Sequence, residues 1–296
     1  MQPTVAARDL APLAVPQAEL RRVVAVALEE DLGSGDVTTD NLVPATTQAR
    51  AAVVFRSPGV VCGLDVLEEV FRQLDGAMVV ERYFPEGAHV ASGTIVARVR
   101  GAARAILKGE RVALNFVQRM AATATATAEF VTAIAGLPVH VIDTRKTTPG
   151  LRHLDKYAIR VGGGRNHRFN LSDGVLVKDN HLAALRNAGI GTVEALRMLR
   201  DRVPHTQRIE VEIDRLDQIP DMLEAGVDTI LLDNMTPAQA REAVQLIAGR
   251  AATEVSGGVR LETVRAYAEA GVDVVSAGAL THSTPALDVA IDFELE

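Results

Sequence analysis

From Leu137 onward the chain repeats one pattern, an apolar β-branched run followed by a stretch of helical periodicity. The runs are VHVID, GVLVK, IEVEID, TILLD, ATEVS and DVVSA. Short, nearly continuous apolar runs alternating with helices predict a parallel sheet buried on both faces. The unusual residues gather where these runs end: Thr144-Arg145-Lys146, Lys178, Glu212, Asp233, Ser256-Gly257-Gly258, and Ser276 with Gly278. In βα barrels the loops at the C-terminal strand ends build the active site, so the pattern predicts a barrel with convergent polar groups. About six or seven strands fit after residue 137, fewer than the roughly eight of a closed barrel. An open or incomplete α/β barrel is therefore expected.

The first part of the chain reads differently. Residues 1 to 16, rich in Ala and Pro, look like a loosely ordered lead-in, and residues 17–31 form an amphipathic pattern that the Gly33-Ser34-Gly35 cluster ends. Residues 49–101 carry short β-type runs separated by turn signals such as Ser57-Pro58-Gly59 and Pro85-Glu86-Gly87. A long helix follows over about 106–135, with Val112, Phe116, Met120, Ala124 and Ala128 recurring every fourth residue. The division predicted is a smaller N-terminal α+β sandwich over 1–120, rejoined by a strand-like tail at 281–296, and a barrel over 121–280.

Charge narrows the function. The net charge is −7, whereas a nucleic-acid binder normally carries a basic footprint. Between Thr144 and Lys178, however, eight Arg and Lys face two acids. A locally basic segment in an acidic chain suits a pocket for a small, highly anionic ligand. Its simpler explanation is a solvated helix face, and Arg152, Lys156 and Arg160, four apart, fit that description. No apolar run approaches the ~18 residues of a membrane span, and the start lacks the pattern of a secretory signal, so a cytoplasmic protein is expected. The lone Cys62, in GVVCGL, reads as a core residue.

Glu210 and Glu212 alternate onto one face of a predicted strand, with Glu212 nearer the mouth and Glu210 deeper. Asp233 ends the next strand. Two carboxylates from neighbouring strands suit Mg²⁺ bridged to phosphates, yet spacing alone equally permits structural pairing with basic residues. Arg145 and Lys146, with Asn166-His167-Arg168 and Lys178 downstream, would suit a dicarboxylate beside a polyphosphate, because the planar guanidinium engages both carboxylate oxygens. Glycine-rich turns after the last strands suit phosphate, since backbone N–H groups can approach it. Gly162-Gly163-Gly164 follows a helical stretch and fails the context of a dinucleotide fingerprint. The histidines lack zinc-motif spacing.

The stretch DTRKTTPGLRHLDKYAIRVGGGRNHRFNLSDGVLVKDNH, residues 143–181, resembles the signature region of the quinolinate phosphoribosyltransferases. The resemblance extends to DLGSGDVTT, GERVALNFVQR, IEVEID, ILLDN, EVSGG and SAGALTHS. It implies an incomplete TIM-like α/β barrel with a smaller N-terminal sandwich domain. It also implies an enzyme that joins quinolinate to phosphoribosyl pyrophosphate, giving nicotinate mononucleotide, pyrophosphate and CO₂ in NAD biosynthesis. By matching positions, Arg111, Thr144, Arg145, His167, Arg168 and Lys178 would surround quinolinate, Arg111 entering from a neighbouring subunit. Lys146, Lys178, Glu212, Asp233, Ser256, Gly257, Gly258 and Gly278 would hold phosphoribosyl pyrophosphate. Lys146, Lys178, Glu212 and Asp233 would form the catalytic set, with Mg²⁺ at Glu212 and Asp233. The expected assembly is a homodimer with shared active sites, a hexamer of dimers remaining open, with no nucleic-acid or membrane partner. Val255 and the Ala/Thr-rich helix at 121–128 depart from the family pattern. The alternatives are a nicotinate phosphoribosyltransferase, a barrel aldolase or isomerase with Lys178 as a Schiff-base lysine, and a non-catalytic sensor of nucleotide precursors.

Overall fold

The structure, a computed structural model, describes residues 15–294. All but the last two residues of the expected N-terminal lead-in lie outside the described residues. In chain order the first elements are α1 (Gln17–Leu32), α2 (Val37–Leu42), β1 (Gln48–Phe55), β2 (Gly59–Val60), α3 (Leu64–Leu74), β3 (Val79–Arg82), β4 (His89–Val90), β5 (Thr94–Ala102) and α4 (Ala103–Ala133). Then follow β6 (His140–Ile142), α5 (Arg152–Val161), β7 (Val175–Val177), α6 (Asp179–Asn187), α7 (Thr192–Arg202), β8 (Ile209–Ile213), α8 (Ile219–Ala225) and β9 (Thr229–Asp233). The chain ends with α9 (Pro237–Ile247), β10 (Ala252–Ser256), α10 (Leu261–Glu269), β11 (Val274–Ser276), α11 (Ala279–His282) and β12 (Val289–Glu294).

These elements form two compact units. The first comprises the described chain up to Ala128 together with Thr148–Gly163 and the segment from Thr284. The second comprises Glu129–Thr147 and Gly164–Ser283. The division falls inside α4, some residues later than the expected boundary at 120. It also assigns α5 to the first unit, although α5 lies within the expected barrel span.

In the first unit an antiparallel sheet of order β12-β1-β5-β3 carries the core. The C-terminal strand β12 lies against β1, with Val53 opposite Ile291. Ala51 to Phe55 form an unbroken buried run, and α3 lays Leu64, Leu67, Val70 and Phe71 into the same core. The Glu86 carboxylate accepts from the N–H groups of Gly63 and Leu64 at the start of α3, satisfying donors that the helix itself cannot. On α4 the residues spaced by four, Val112, Phe116, Met120, Ala124 and Ala128, are all buried. Gly162 shows why its triplet is not a phosphate loop: a β-carbon there would lie 2.4 Å from the Ala124 carbonyl oxygen, so glycine permits close packing of the end of α5 on α4. Lys156 corrects the solvated-face reading of the 152–160 charges, being only 2% exposed.

The second unit is an incomplete TIM-like barrel. Six parallel strands run in the order β6-β11-β10-β9-β8-β7, and all six are the predicted runs. The segment at Arg165 adds a parallel bridge to Ile142 beside β6. Alternation along each strand sorts the residues. Val211, Ile230, Leu232, Val255 and Val275 are fully buried, and Val255 thus serves packing. Their sequence neighbours Glu210, Glu212, Leu231, Asp233, Glu254, Ser256 and Ser276 fall on the opposite face.

Candidate active site

All of that second set except Glu210 meets in one cavity of about 500 Å³ in the barrel unit, a volume suited to small-molecule ligands. After β6 it is lined by Thr144, Arg145 and Lys146, and from the segment beside β6 by His167 and Arg168. Lys178 enters after β7, Glu212 from β8, Asp233 and Asn234 from the end of β9, Ser256, Gly257 and Gly258 from the end of β10, and Ser276 from β11. Gly278 lies beside this wall: a β-carbon there would stand 2.9 Å from Cδ of Lys146. Arg111 is exposed on α4 in the first unit.

The cations are anchored by main-chain and ionic contacts. Lys146 accepts at its carbonyl from the Thr281 hydroxyl at 2.8 Å, while its N–H donates to Oγ1 of Thr144 at 3.0 Å. Arg168 donates from its guanidinium to the Gly174 carbonyl at 2.9 Å. Lys178 pairs with Glu212 across adjacent strands. Burial presses the Arg168 guanidinium below its ordinary value, and the nearby Arg145 adds to the effect while Glu210 opposes it. Two guanidinium groups thus share one partly desolvated wall, which favours an anion placed against both.

The opposite tendency holds at the carboxylates. Burial raises the proton affinity of Asp233, and the charge of Glu212 raises it further, with Lys178 and Lys146 acting the other way. Asn234 donates to Oδ2 of Asp233 at 2.7 Å. Its own backbone N–H donates to the Ser256 carbonyl at 2.9 Å, which brings it against Gly257. A β-carbon on Gly257 would fall 2.2 Å from Oδ1 of Asn234, and its φ of +86° is left-handed, so glycine is required there.

Three further acids are buried almost completely, Asp143, Glu210 and Glu254, and of these Glu254 also lines the cavity. Glu210 is indeed the deeper of the two acids on β8. Asp143 accepts from the His167 N–H at 2.8 Å and from the Asn166 amide at 2.7 Å. Burial holds the Glu254 carboxyl well above the usual carboxylate range, and Glu210 and Asp143 push it further, while a hydrogen bond with Ser276 pulls the other way. Glu254, Asn234, Leu176 and Leu231 were not singled out from sequence. Glu254 could have been found by stepping two residues back from Ser256, the same period that relates Glu210 to Glu212.

Residues 36–121 match the family model for the N-terminal domain of quinolinate phosphoribosyl transferase, and residues 123–292 match that for its C-terminal domain. The chain belongs to the quinolinate phosphoribosyltransferase family. A nicotinate-nucleotide pyrophosphorylase (carboxylating) of Mycobacterium leprae is 45% identical over 92% of this chain and 96% of its own length. A probable enzyme of the same name from Bacillus subtilis is 38% identical, over 94% of each chain. The solved nicotinate-nucleotide pyrophosphorylase of Francisella tularensis superimposes with a TM-score of 0.89 at 33% identity, over 95% of this chain and 98% of its own. This quinolinate phosphoribosyltransferase fold therefore extends over both units.

Proposed function

We propose that this chain transfers the phosphoribosyl group of phosphoribosyl pyrophosphate to quinolinate with decarboxylation, yielding nicotinate mononucleotide, pyrophosphate and CO₂. The observation that carries the reading is the division of one cavity into a guanidinium wall and a carboxylate wall. Arg145, Arg168, His167, Thr144 and Lys178 face the dicarboxylate in this reading. Lys146, Lys178, Glu212, Asp233, Ser256, Gly257, Gly258 and Gly278 face phosphoribosyl pyrophosphate.

The reaction breaks the bond from ribose C1 to the pyrophosphate oxygen and forms the bond from C1 to the pyridine nitrogen. The bond from ring C2 to its carboxyl group then breaks, its electron pair stays on C2, and C2 takes a proton. No protein nucleophile is required. Lys146 and the backbone donors of the glycine turn oppose the charge that grows on the departing pyrophosphate. Arg145 and Arg168 fix the acceptor so that the ring nitrogen faces C1. Glu212 and Asp233 suit Mg²⁺ by their chemistry, because they present hard carboxylate oxygens from adjacent strands, and burial followed by repulsion from Glu212 raises proton affinity at Asp233, a repulsion that a cation would relieve. These two residues would hold Mg²⁺, which when bound supplies charge neutralisation to the phosphates.

We assign the molecule a homodimer in the cytoplasm, with Arg111 completing the partner's site. Two guanidinium groups on the wall exceed what a monocarboxylate such as nicotinate needs. Lys178 is ion-paired with Glu212 and partly exposed, not enclosed in the apolar pocket that activates an imine-forming amine. Among the described residues no helix is long and apolar enough to cross a membrane. The decisive test is incubation with quinolinate, phosphoribosyl pyrophosphate and Mg²⁺, with nicotinate mononucleotide and CO₂ as the expected products in equal amounts. Borohydride trapping of a covalent adduct at Lys178 would instead support the aldolase reading.

A further inference from the structure

His167 and Glu254 on the cavity wall and Glu210 behind it bring one ligand-type atom each within 4.8 Å of one another. Such a cluster invites assignment as a metal centre, yet the histidine's own hydrogen bonds argue for a different role. Nδ1 of His167 lies 2.6 Å from the backbone N of Arg168, which donates to it. A backbone N–H can only donate, so Nδ1 must present its lone pair and carries no proton. The ring proton of the neutral imidazole then belongs on Nε2, which stands 3.1 Å from Oε2 of Glu210. A metal at Nε2 would displace that proton to Nδ1 and set two hydrogens against each other. Metal-bound histidines normally show the reverse arrangement, their second nitrogen donating.

We propose that Glu210 is a positioning residue for substrate binding: by accepting Nε2–H it fixes the His167 tautomer that receives the Arg168 N–H, and so fixes the main chain from which the Arg168 guanidinium projects. Glu210 is 8% exposed and does not line the cavity, so its hydrogen-bonded route to the wall is this relay, beside its direct charge on the Arg168 guanidinium. Asp143 holds the same segment, accepting from the Asn166 amide and the His167 N–H. Main-chain position matters because a guanidinium that binds a carboxylate through both nitrogens tolerates little angular error. The inference rests on the placement of the dicarboxylate at Arg168 and adds to that placement a polar support that makes no contact with substrate.

The first test is ¹⁵N NMR of the histidine rings in the unmodified, substrate-free protein, with His167 assigned by loss of its signals in His167→Gln. The expected result is a neutral ring protonated at Nε2, and a ring protonated at Nδ1 or at both nitrogens overturns the proposal. The second test compares Glu210→Leu with Glu210→Gln. Loss of the acceptor in Glu210→Leu is expected to raise KM for quinolinate roughly tenfold while leaving KM for phosphoribosyl pyrophosphate nearly unchanged. The glutamine carbonyl can still accept Nε2–H, so Glu210→Gln should recover most of the loss. Equal damage in both variants, or a parallel rise in both KM values, overturns the proposal. Arg168→Lys separates the two layers: an unchanged KM for quinolinate there would refute the substrate placement, and with it the functional part of this inference, while the tautomer would still report on the Glu210–His167 contact.

Discussion

Asn234 and Gly257 approach so closely that the amide oxygen of one occupies the space of a side chain on the other, 2.2 Å from where a β-carbon would be. This contact links the ends of β9 and β10 at the proposed pyrophosphate turn. Gly257→Ala must both adopt a left-handed backbone, at roughly 1–2 kcal/mol, and displace Asn234 from Asp233. The expected outcome is lower stability together with a raised KM for phosphoribosyl pyrophosphate, measured by thermal melts and steady-state kinetics. A variant with unaltered KM would detach this turn from the phosphate site.

Lys178 and Glu212 form an ion pair between the ends of adjacent strands. Lys178→Met removes a donor that the proposed reading aims at both substrates, and leaves Glu212 without that partner. A fall in kcat of roughly 10²–10³ is expected, with the fold retained because Lys178 is exposed. Circular dichroism alongside the rate assay separates the two effects.

Arg145→Lys keeps the charge but loses the planar fork. Replacing a bidentate contact by a point charge should raise KM for quinolinate by roughly ten- to a hundredfold and leave KM for phosphoribosyl pyrophosphate within about threefold. Equal effects on the two substrates would place Arg145 elsewhere than on the acceptor.

Glu254 makes stability depend on pH in an unusual direction. Its carboxyl binds a proton more tightly in the folded chain than in the unfolded one. The resulting stabilisation is present below the unfolded value of about 4.3 and is lost as pH rises from there toward the folded value. Glu254→Gln keeps the shape and cannot ionise, so its stability relative to the parent chain should improve steadily above about pH 4.3. Denaturant unfolding at a series of pH values reads this difference, and a constant gap would mean that Glu254 ionises as readily folded as unfolded.

Arg111 tests the shared site. An Arg111→Ala chain and a Lys178→Ala chain should each be inactive, and mixing them under conditions of subunit exchange should restore about a quarter of parental activity, since one site in each mixed dimer is intact. No recovery would confine Arg111 to a role within its own subunit.

Local pattern made the strands readable. VHVID, IEVEID and ATEVS are β-branched runs bounded by turns, and the period of two that places Glu212 at the cavity also places Glu210 beneath it. The charges on α5 misled for a physical reason: a spacing of four between Arg152, Lys156 and Arg160 is the same whether the face meets water or buried polar partners, and Lys156 is buried. Glu254 escaped notice because a single acid in a five-residue strand has no local feature distinguishing a buried carboxyl from an exposed one.

The sequence by itself determined which segments become strands, which ends of those strands carry charge, and the family to which the chain belongs, because periodicity, turn chemistry and residue order are local properties. Tertiary structure alone decided the partners. Lys178 meets Glu212 across 34 residues, His167 meets Glu210 and Glu254 on two other strands, and Asn234 closes on Gly257. Such contacts arise when a sheet curls and brings distant residues into one desolvated space, where proton affinity and charge pairing depend on neighbours in three dimensions and not on neighbours along the chain.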